Sequence, residues 1–82
     1  MIFTSDVEIS RAGVIFKYGN PLPVWIESNG EKVSVKEIFY SWTERKGHYL
    51  VYKYTFTDGF DAYEIALNSL SMKWFLIARE QL

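Results

Sequence analysis

The chain has 82 residues, no cysteine, one histidine and a formal net charge of −1. Its 49% apolar and 18% aromatic content exclude a disordered chain, and its length leaves room for one hydrophobic core. The absence of cysteine excludes a disulfide framework and a thiolate metal site, and the near-neutral charge gives no long-range field that attracts phosphates or anionic lipid. No window approaches the ~20 apolar residues that cross a bilayer, and the start has no secretion-signal pattern. We therefore expect one cytoplasmic domain over residues 1–82.

Residues 1–22 are predicted to contribute one or two short strands, within DVEIS and GVIFKY, followed by a proline-containing loop. Pro21 and Pro23 lack a backbone N–H, so we expect both to lie outside any central ladder. Residues 23–79 are predicted to form a meander of five strands.

A tight hairpin is predicted at Asn29-Gly30, because Asn-Gly suits the two positive φ angles of a type I′ turn. A two-residue turn brings opposite charges together on one face and β-branched residues on the other. The predicted partners are Ser28 with Glu31, Glu27 with Lys32, Ile26 with Val33 and Val24 with Val35.

The next segment, EKVSVKEIFYSWTERKG, breaks strict alternation. Val33 and Val35 are odd-numbered, whereas Ile38, Tyr40 and Trp42 are even-numbered. A β-bulge near Lys36-Glu37 would return all five side chains to the core. A helix is the alternative, but β-branched and aromatic residues dominate and there is no helix cap, which favours a strand.

Two further hairpins are predicted at Asp58-Gly59 and at Ser69-Leu70. Two-residue turns there place aromatic and aliphatic side chains opposite one another across three strands. The predicted inner pairs are Tyr54 with Tyr63, Tyr52 with Ile65, Leu50 with Leu67, Leu67 with Met72, Ile65 with Trp74 and Tyr63 with Leu76, and Lys53 pairs with Glu64 on the outer face.

These elements predict an all-β fold, a small antiparallel meander of five to seven strands closing into an SH3-like barrel or half-barrel. A second group of apolar side chains then falls on the face opposite the core. Such a face needs a cover, either the N-terminal strands or another protein. Its members, the candidate protein interface, are Val51, Ala62, Ala66, Phe75 and Ile77.

The order of landmarks resembles that of a known group. Trp25, a glycine at 30, alternating valines, a closing Trp42, Tyr63-Glu64-Ile65 and Trp74-Phe75-Leu76 follow one another between residues 24 and 78. This order is similar to that of small bacterial domains of unknown function, found alone or encoded near translesion (Y-family) DNA polymerases. The resemblance implies a β-rich fold and a connection to DNA metabolism, and none of its landmarks is a catalytic motif.

The sequence contains no recognisable catalytic motif. His48 has no serine or acid at a motif spacing, and the acidic residues are spread over turns and outer strand positions rather than gathered as ligands. The five glycines are isolated, so no phosphate-binding loop exists. We therefore expect no catalytic residues, no metal and no cofactor.

Two functions remain. The first is a non-enzymatic interaction module that binds a protein partner or its own copy through the apolar outer residues. The second is a nucleic-acid-binding domain, in which bases stack on Trp25 and Tyr49 while Arg45 and Lys46 neutralise phosphates.

Overall fold

The computed structural model describes residues 2–82, with side chains from Val7 onward. All of the ordered elements in this range are antiparallel β-strands. They are β1 (Ile2–Glu8), β2 (Arg11–Lys17), β3 (Asn20–Ser28), β4 (Glu31–Ser34), β5 (Glu37–Lys46), β6 (Tyr49–Thr57), β7 (Asp61–Asn68) and β8 (Lys73–Gln81). The predicted all-β meander is confirmed, with eight described strands instead of five to seven.

The strands form two sheets rather than one closed barrel. A five-stranded sheet has the order β1-β8-β7-β6-β5, and a three-stranded sheet has the order β2-β3-β4. The half-barrel alternative therefore describes the fold, since the small sheet lies against one face of the large one around a shared core.

The chain passes between the sheets at two bends, between β1 and β2 and between β4 and β5. At each bend, one residue bonds to one sheet and the next residue bonds to the other. The N–H groups of Ile9 and Lys36 donate to Trp74 (2.8 Å) and Thr57 (2.9 Å) of the large sheet, and those of Ser10 and Val35 donate to Glu27 (3.0 Å) and Val24 (2.9 Å) of the small sheet. Strands that change sheet in this way form the corners of orthogonally packed sheets.

The core consists mainly of rings and branched aliphatic side chains from both sheets. Phe56 and Tyr63 stack with centroids 5.0 Å apart, and Tyr52 packs against the buried cluster from its rim. The inward orientation predicted for Tyr52, Tyr63 and Trp74 is therefore confirmed. The buried cluster comprises Ile9, Ile26, Val33, Tyr54, Phe56, Tyr63, Ile65, Leu67, Trp74 and Leu76.

The hairpin at Asn29-Gly30 has the predicted register. Ile26 lies opposite Val33, and Glu27 lies opposite Lys32. The φ angles are 54° at Asn29 and 77° at Gly30, as a type I′ turn requires.

The hairpin after β6 has a longer turn than predicted. The Asp58 carboxylate accepts hydrogen bonds of 2.8 Å from the N–H groups of Phe60 and Asp61, which holds a loop of four residues between Thr57 and Ala62. The predicted partners are therefore wrong by two residues: Tyr54 faces Ile65, Tyr52 faces Leu67 and Lys53 faces Ala66. A shift of two keeps every side chain on its predicted face.

The same error occurs at the next hairpin for the same physical reason. The side-chain oxygen of Asn68 accepts hydrogen bonds from the N–H groups of Leu70 (2.8 Å) and Ser71 (3.1 Å). The loop again has four residues, so Leu67 faces Trp74 and Ile65 faces Leu76.

The strand predicted after Val35 is confirmed as β5, but the position of its bulge is wrong. At Val35 and Lys36 the chain changes sheet, and the register shift lies between Ile38 and Tyr40. Ile38 packs against the core, whereas Tyr40 and Trp42 are exposed. These two rings therefore do not belong to the core.

The N-terminal prediction is confirmed for two strands and wrong in placing the prolines in a loop. Pro21 and Pro23 lie within β3, the middle strand of the small sheet, opposite Phe16 and Val14 of β2. The structure accommodates them because β4 pairs only with the later part of β3, from Trp25 onward. The edge of β3 that carries the prolines thus has no ladder to interrupt.

Candidate interaction surface

The outer face is the side of the five-stranded sheet that points away from the core. On β8, Phe75 and Ile77 alternate with the buried Trp74 and Leu76. The other predicted interface residues, Val51, Ala62 and Ala66, are also on this face because their strand neighbours point into the core. The structure thus places all five predicted residues on one side of one sheet.

Four of the five border a common hollow. Val51, Ala66, Phe75 and Ile77 line a depression of about 280 Å³, with Lys53 and Asn68 at its border. Ala66 is buried among these side chains, and Phe75 is its partner in the ladder. Ala62 lies further along β7, in a separate depression beside Thr55 and Ala78.

Two aromatic residues that the sequence reading assigned to the core extend this face. Tyr40 is 73% exposed and Trp42 is 39% exposed. Their partners in the ladder are Thr55 and Lys53, which belong to the outer face. The bulge at residue 39 places the rings there, and a bulge position is not evident from alternation alone.

A cluster of hydrogen-bonded and charged side chains borders the apolar residues on the β5 side. The indole Nε1 of Trp42 donates to Glu44 (3.1 Å), and Glu44 also pairs with Lys53 (3.3 Å) and Lys46 (3.4 Å). Hydrogen bonds from Trp42 and then from Lys53 hold the pKa of Glu44 below its ordinary value. The carboxylate is therefore charged at neutral pH and balances the neighbouring lysines.

The N-terminal strands do not cover the outer face. β1 pairs with β8 at the edge of the large sheet, with Val7 opposite Leu76 and Glu8 opposite Phe75, and β2 belongs to the other sheet. None of the strands formed by residues 2–82 crosses the outer face. The sequence predicted that either the N-terminal strands or another protein covers this face. Residues 7–17 of the N-terminal strands do not cover it.

The candidate nucleic-acid residues lie on different parts of the molecule. Tyr49, Arg45 and Lys46 are at the hairpin between β5 and β6, where Lys46 pairs with Glu44. Trp25 lies on β3 in the small sheet. The four residues therefore do not form one binding surface.

Trp25 has its own cationic neighbours on the flanking strands. Lys32 Nζ lies 4.7 Å and the Arg11 guanidinium 5.6 Å from the indole centroid. Both cations are diagonal neighbours on the flanking strands. The opposite position on β2 is Gly13, where an added Cβ would lie 2.0 Å from the indole Nε1, so the ring occupies the space above that glycine.

Other kinds of site find little support in the described part of the chain. No three His, Asp or Glu side chains among these residues are placed to hold a metal ion, and His48 is exposed at a turn. The described residues contain no helix long and apolar enough to span a membrane. Comparisons with family models, with curated proteins and with solved structures find no match, so the resemblance to the polymerase-associated bacterial domains stays a prediction.

Proposed function

We propose that the chain is a non-enzymatic interaction module that binds a second copy of itself through the outer face. The observation that carries this proposal is the hollow on the outer face, which is lined by Val51, Ile77 and the large side chain of Phe75. A two-fold axis through this face would bring the Phe75 ring of each copy to the hollow of the other. Isologous interfaces require this self-complementarity, with the projecting group and its recess on the same surface.

The size of the face suits a stable dimer. Five strands at ~4.8 Å spacing and roughly nine residues at ~3.3 Å rise give a face of about 700 Å² per copy. Stable protein complexes bury about 800 Å² on each partner. The outer face therefore has nearly the area that such an interface needs.

The distribution of charge also favours a like partner. The side chains around the hollow are mainly apolar, and Glu44 and Lys53 form an ion pair of 3.3 Å at its border. Glu64 lies on the same face, between Ala62 and Ala66 on β7. An apolar centre with a polar rim is the usual composition of an interface. Because Glu44 is paired with Lys53 and the net charge is only −1, two copies meet with little long-range electrostatic repulsion.

Sedimentation velocity of the full chain, over concentrations from micromolar to millimolar, tests the proposal. We expect a monomer–dimer equilibrium for the native chain and a monomer for Ile77→Lys, which places a charge within the apolar centre. Leu70→Lys is the matched control, because Leu70 is exposed in the turn before β8, away from the hollow, and should leave dimerisation unchanged.

A native chain that stays monomeric at millimolar concentration would disprove the proposal. Equal effects of Ile77→Lys and Leu70→Lys would also contradict it, because they would show a general effect of charge. Circular dichroism of each variant checks the fold, and Ile77→Ser provides a second test should the lysine variant fail to fold.

A further inference from the structure

A groove opens between the two sheets on the side of the β2–β3 hairpin. One wall is the beginning of β3, including Pro21, and the other is the edge of β5 from Ser41 to Thr43, and its volume is about 300 Å³. The prolines have no N–H to donate, so the β3 wall cannot close the gap by pairing with β5. The prolines therefore leave this edge of β3 without backbone donors at positions 21 and 23.

The floor of the groove is fixed by one contact between the sheets. The Tyr54 hydroxyl, from β6, donates a hydrogen bond to the carbonyl of Pro21. Tyr54 is buried, and this contact occupies a carbonyl at the proline edge. A β-strand inserted into the groove would therefore find few ladder groups on the β3 wall.

A strained, exposed tyrosine stands at the mouth of the groove. Tyr18 has a φ of 54° and is 93% exposed, so its ring gains almost no burial in return for a left-handed backbone that bulky residues rarely adopt. The equivalent position of the other tight hairpin is occupied by Asn29, the residue type that such turns favour. Strain without a packing benefit points to a functional role for the ring.

The lining combines aromatic rings with hydrogen-bond donors. Tyr18 and Tyr52 supply rings, and Asn20 and Lys17 supply N–H donors. None of the residues that line this groove carries a carboxylate. Its chemistry therefore suits a ligand with apolar surfaces and hydrogen-bond acceptors.

We propose that this groove binds a proline-rich peptide segment in the polyproline II conformation. Such a segment presents apolar pyrrolidine rings to aromatic side chains, and its carbonyl groups accept hydrogen bonds while its prolines donate none. The β5 wall spans three residues, about 7–10 Å, which matches roughly three residues of polyproline II at ~3.1 Å each. The conformation is formed before binding, so an open groove need not supply the free energy of ordering it.

A single-stranded nucleic acid matches this groove less well. Rings could stack on bases, but Lys17 is the only cation in the lining, and its ammonium group lies 5.9 Å from the Tyr18 ring centroid. The chain as a whole carries a net charge of −1. Binding of a phosphate backbone normally depends on several cations along one path.

Titration of the ¹⁵N-labelled chain with decaproline, followed by amide chemical shifts, tests the proposal. We expect saturable shifts at Gly19, Asn20 and residues 41–43, and none with a glycine-serine peptide of equal length. Absence of shifts at millimolar decaproline would disprove the proposal. Shifts of the same amides by oligothymidine but not by decaproline would also disprove it, and would favour nucleic acid as the ligand.

Tyr18→Asn separates binding from stability. We expect this variant to melt at the same temperature as the native chain or higher, because asparagine tolerates the turn, and to bind decaproline roughly fivefold more weakly or worse. Phe16→Ser is the control, since Phe16 is exposed on the same hairpin outside the groove lining, and should bind normally. Native affinity in a folded Tyr18→Asn variant would overturn the assignment.

The groove proposal does not depend on self-association. The monomeric Ile77→Lys variant is expected to bind decaproline with native affinity, because Ile77 lies on the outer face and does not line the groove. Loss of dimerisation and loss of peptide binding are therefore measured separately.

Discussion

Arg79 of β8 holds Asp61 of β7 by two contacts to one carboxylate oxygen. Its Nε and Nη2 atoms both lie 2.8 Å from Oδ2 of Asp61. The same guanidinium lies 5.2 Å from the Tyr63 ring centroid and 3.6 Å from a carboxylate oxygen of Glu31 at the start of β4. One side chain thus connects the large sheet to the small one.

Replacement of Arg79 by alanine should destabilise the fold. Charge-assisted hydrogen bonds contribute more than exposed ion pairs, but the Arg79 side chain is 40% exposed, so we expect a loss of about 1 kcal/mol after solvent screening. Urea denaturation measures the change. Arg11→Ala is the control, because Arg11 is 70% exposed and lies 3.8 Å from Glu27, and it should change stability by less than about 0.5 kcal/mol. Equal losses in the two variants would contradict this role for Arg79.

Gly13→Ala should disturb the small sheet through Trp25. The new Cβ would meet the indole at 2.0 Å, so the ring must move away and lose its packing, at a cost of about 1–3 kcal/mol. Urea denaturation measures the loss, and a red shift of tryptophan emission would report the displaced ring. The double variant with Trp25→Ala should lose less than the sum of the single changes, because the clash is then absent. An additive result would show that the ring and the glycine act independently.

Protonation of Asp58 should weaken the β6–β7 turn in acid. Burial opposes the charged carboxylate, but hydrogen bonds from the N–H groups of Asp61 and Phe60 and from the Tyr63 hydroxyl outweigh it, so the pKa of Asp58 is lowered below 3.8. A lowered pKa in the folded state contributes stability above the unfolded-state pKa, and this contribution is lost as the pH falls through the folded-state value. Chemical denaturation at pH values below about 4 should therefore show a loss of stability.

Asp58→Asn is the variant that tests this assignment. Asparagine keeps the side-chain carbonyl that can accept the turn hydrogen bonds but has no proton to gain. The variant should therefore show a smaller loss of stability in acid than the native chain. An unchanged dependence on pH would assign the acid effect to other carboxylates.

The sequence predicts the faces of the strands better than their partners. Alternation around Tyr54, Tyr63 and Trp74 places the core correctly, because the side-chain period of a strand is independent of turn length. The turns at Asp58 and Asn68 are longer than predicted, since each side chain accepts two backbone hydrogen bonds, a capacity that does not by itself specify loop length.

Of the two candidate sites, the outer face could be predicted from the sequence and the groove could not. Val51, Ala66, Phe75 and Ile77 could be predicted as one face from local alternation, and they border one hollow. The groove could not be predicted, because it depends on where the proline edge of β3 diverges from β5. This separation is set by the bends between the two sheets, and no local pattern around Tyr18 indicates it.

Tyr54→Phe should destabilise the chain by about 1–3 kcal/mol, since it leaves the Pro21 carbonyl without its hydrogen-bond donor. Burial raises the pKa of Tyr54 to about 12, so its neutral form stabilises the fold at neutral pH. This contribution is complete below the unfolded-state pKa of about 10 and is lost as the pH rises toward 12.

Tyr63 also contributes to the alkaline loss of stability, because burial raises its pKa as well. The variant should therefore reduce, and not abolish, the alkaline loss of stability measured by denaturation between neutral pH and pH 12. An alkaline profile identical to that of the native chain would show that the Tyr54 hydroxyl does not titrate with unfolding.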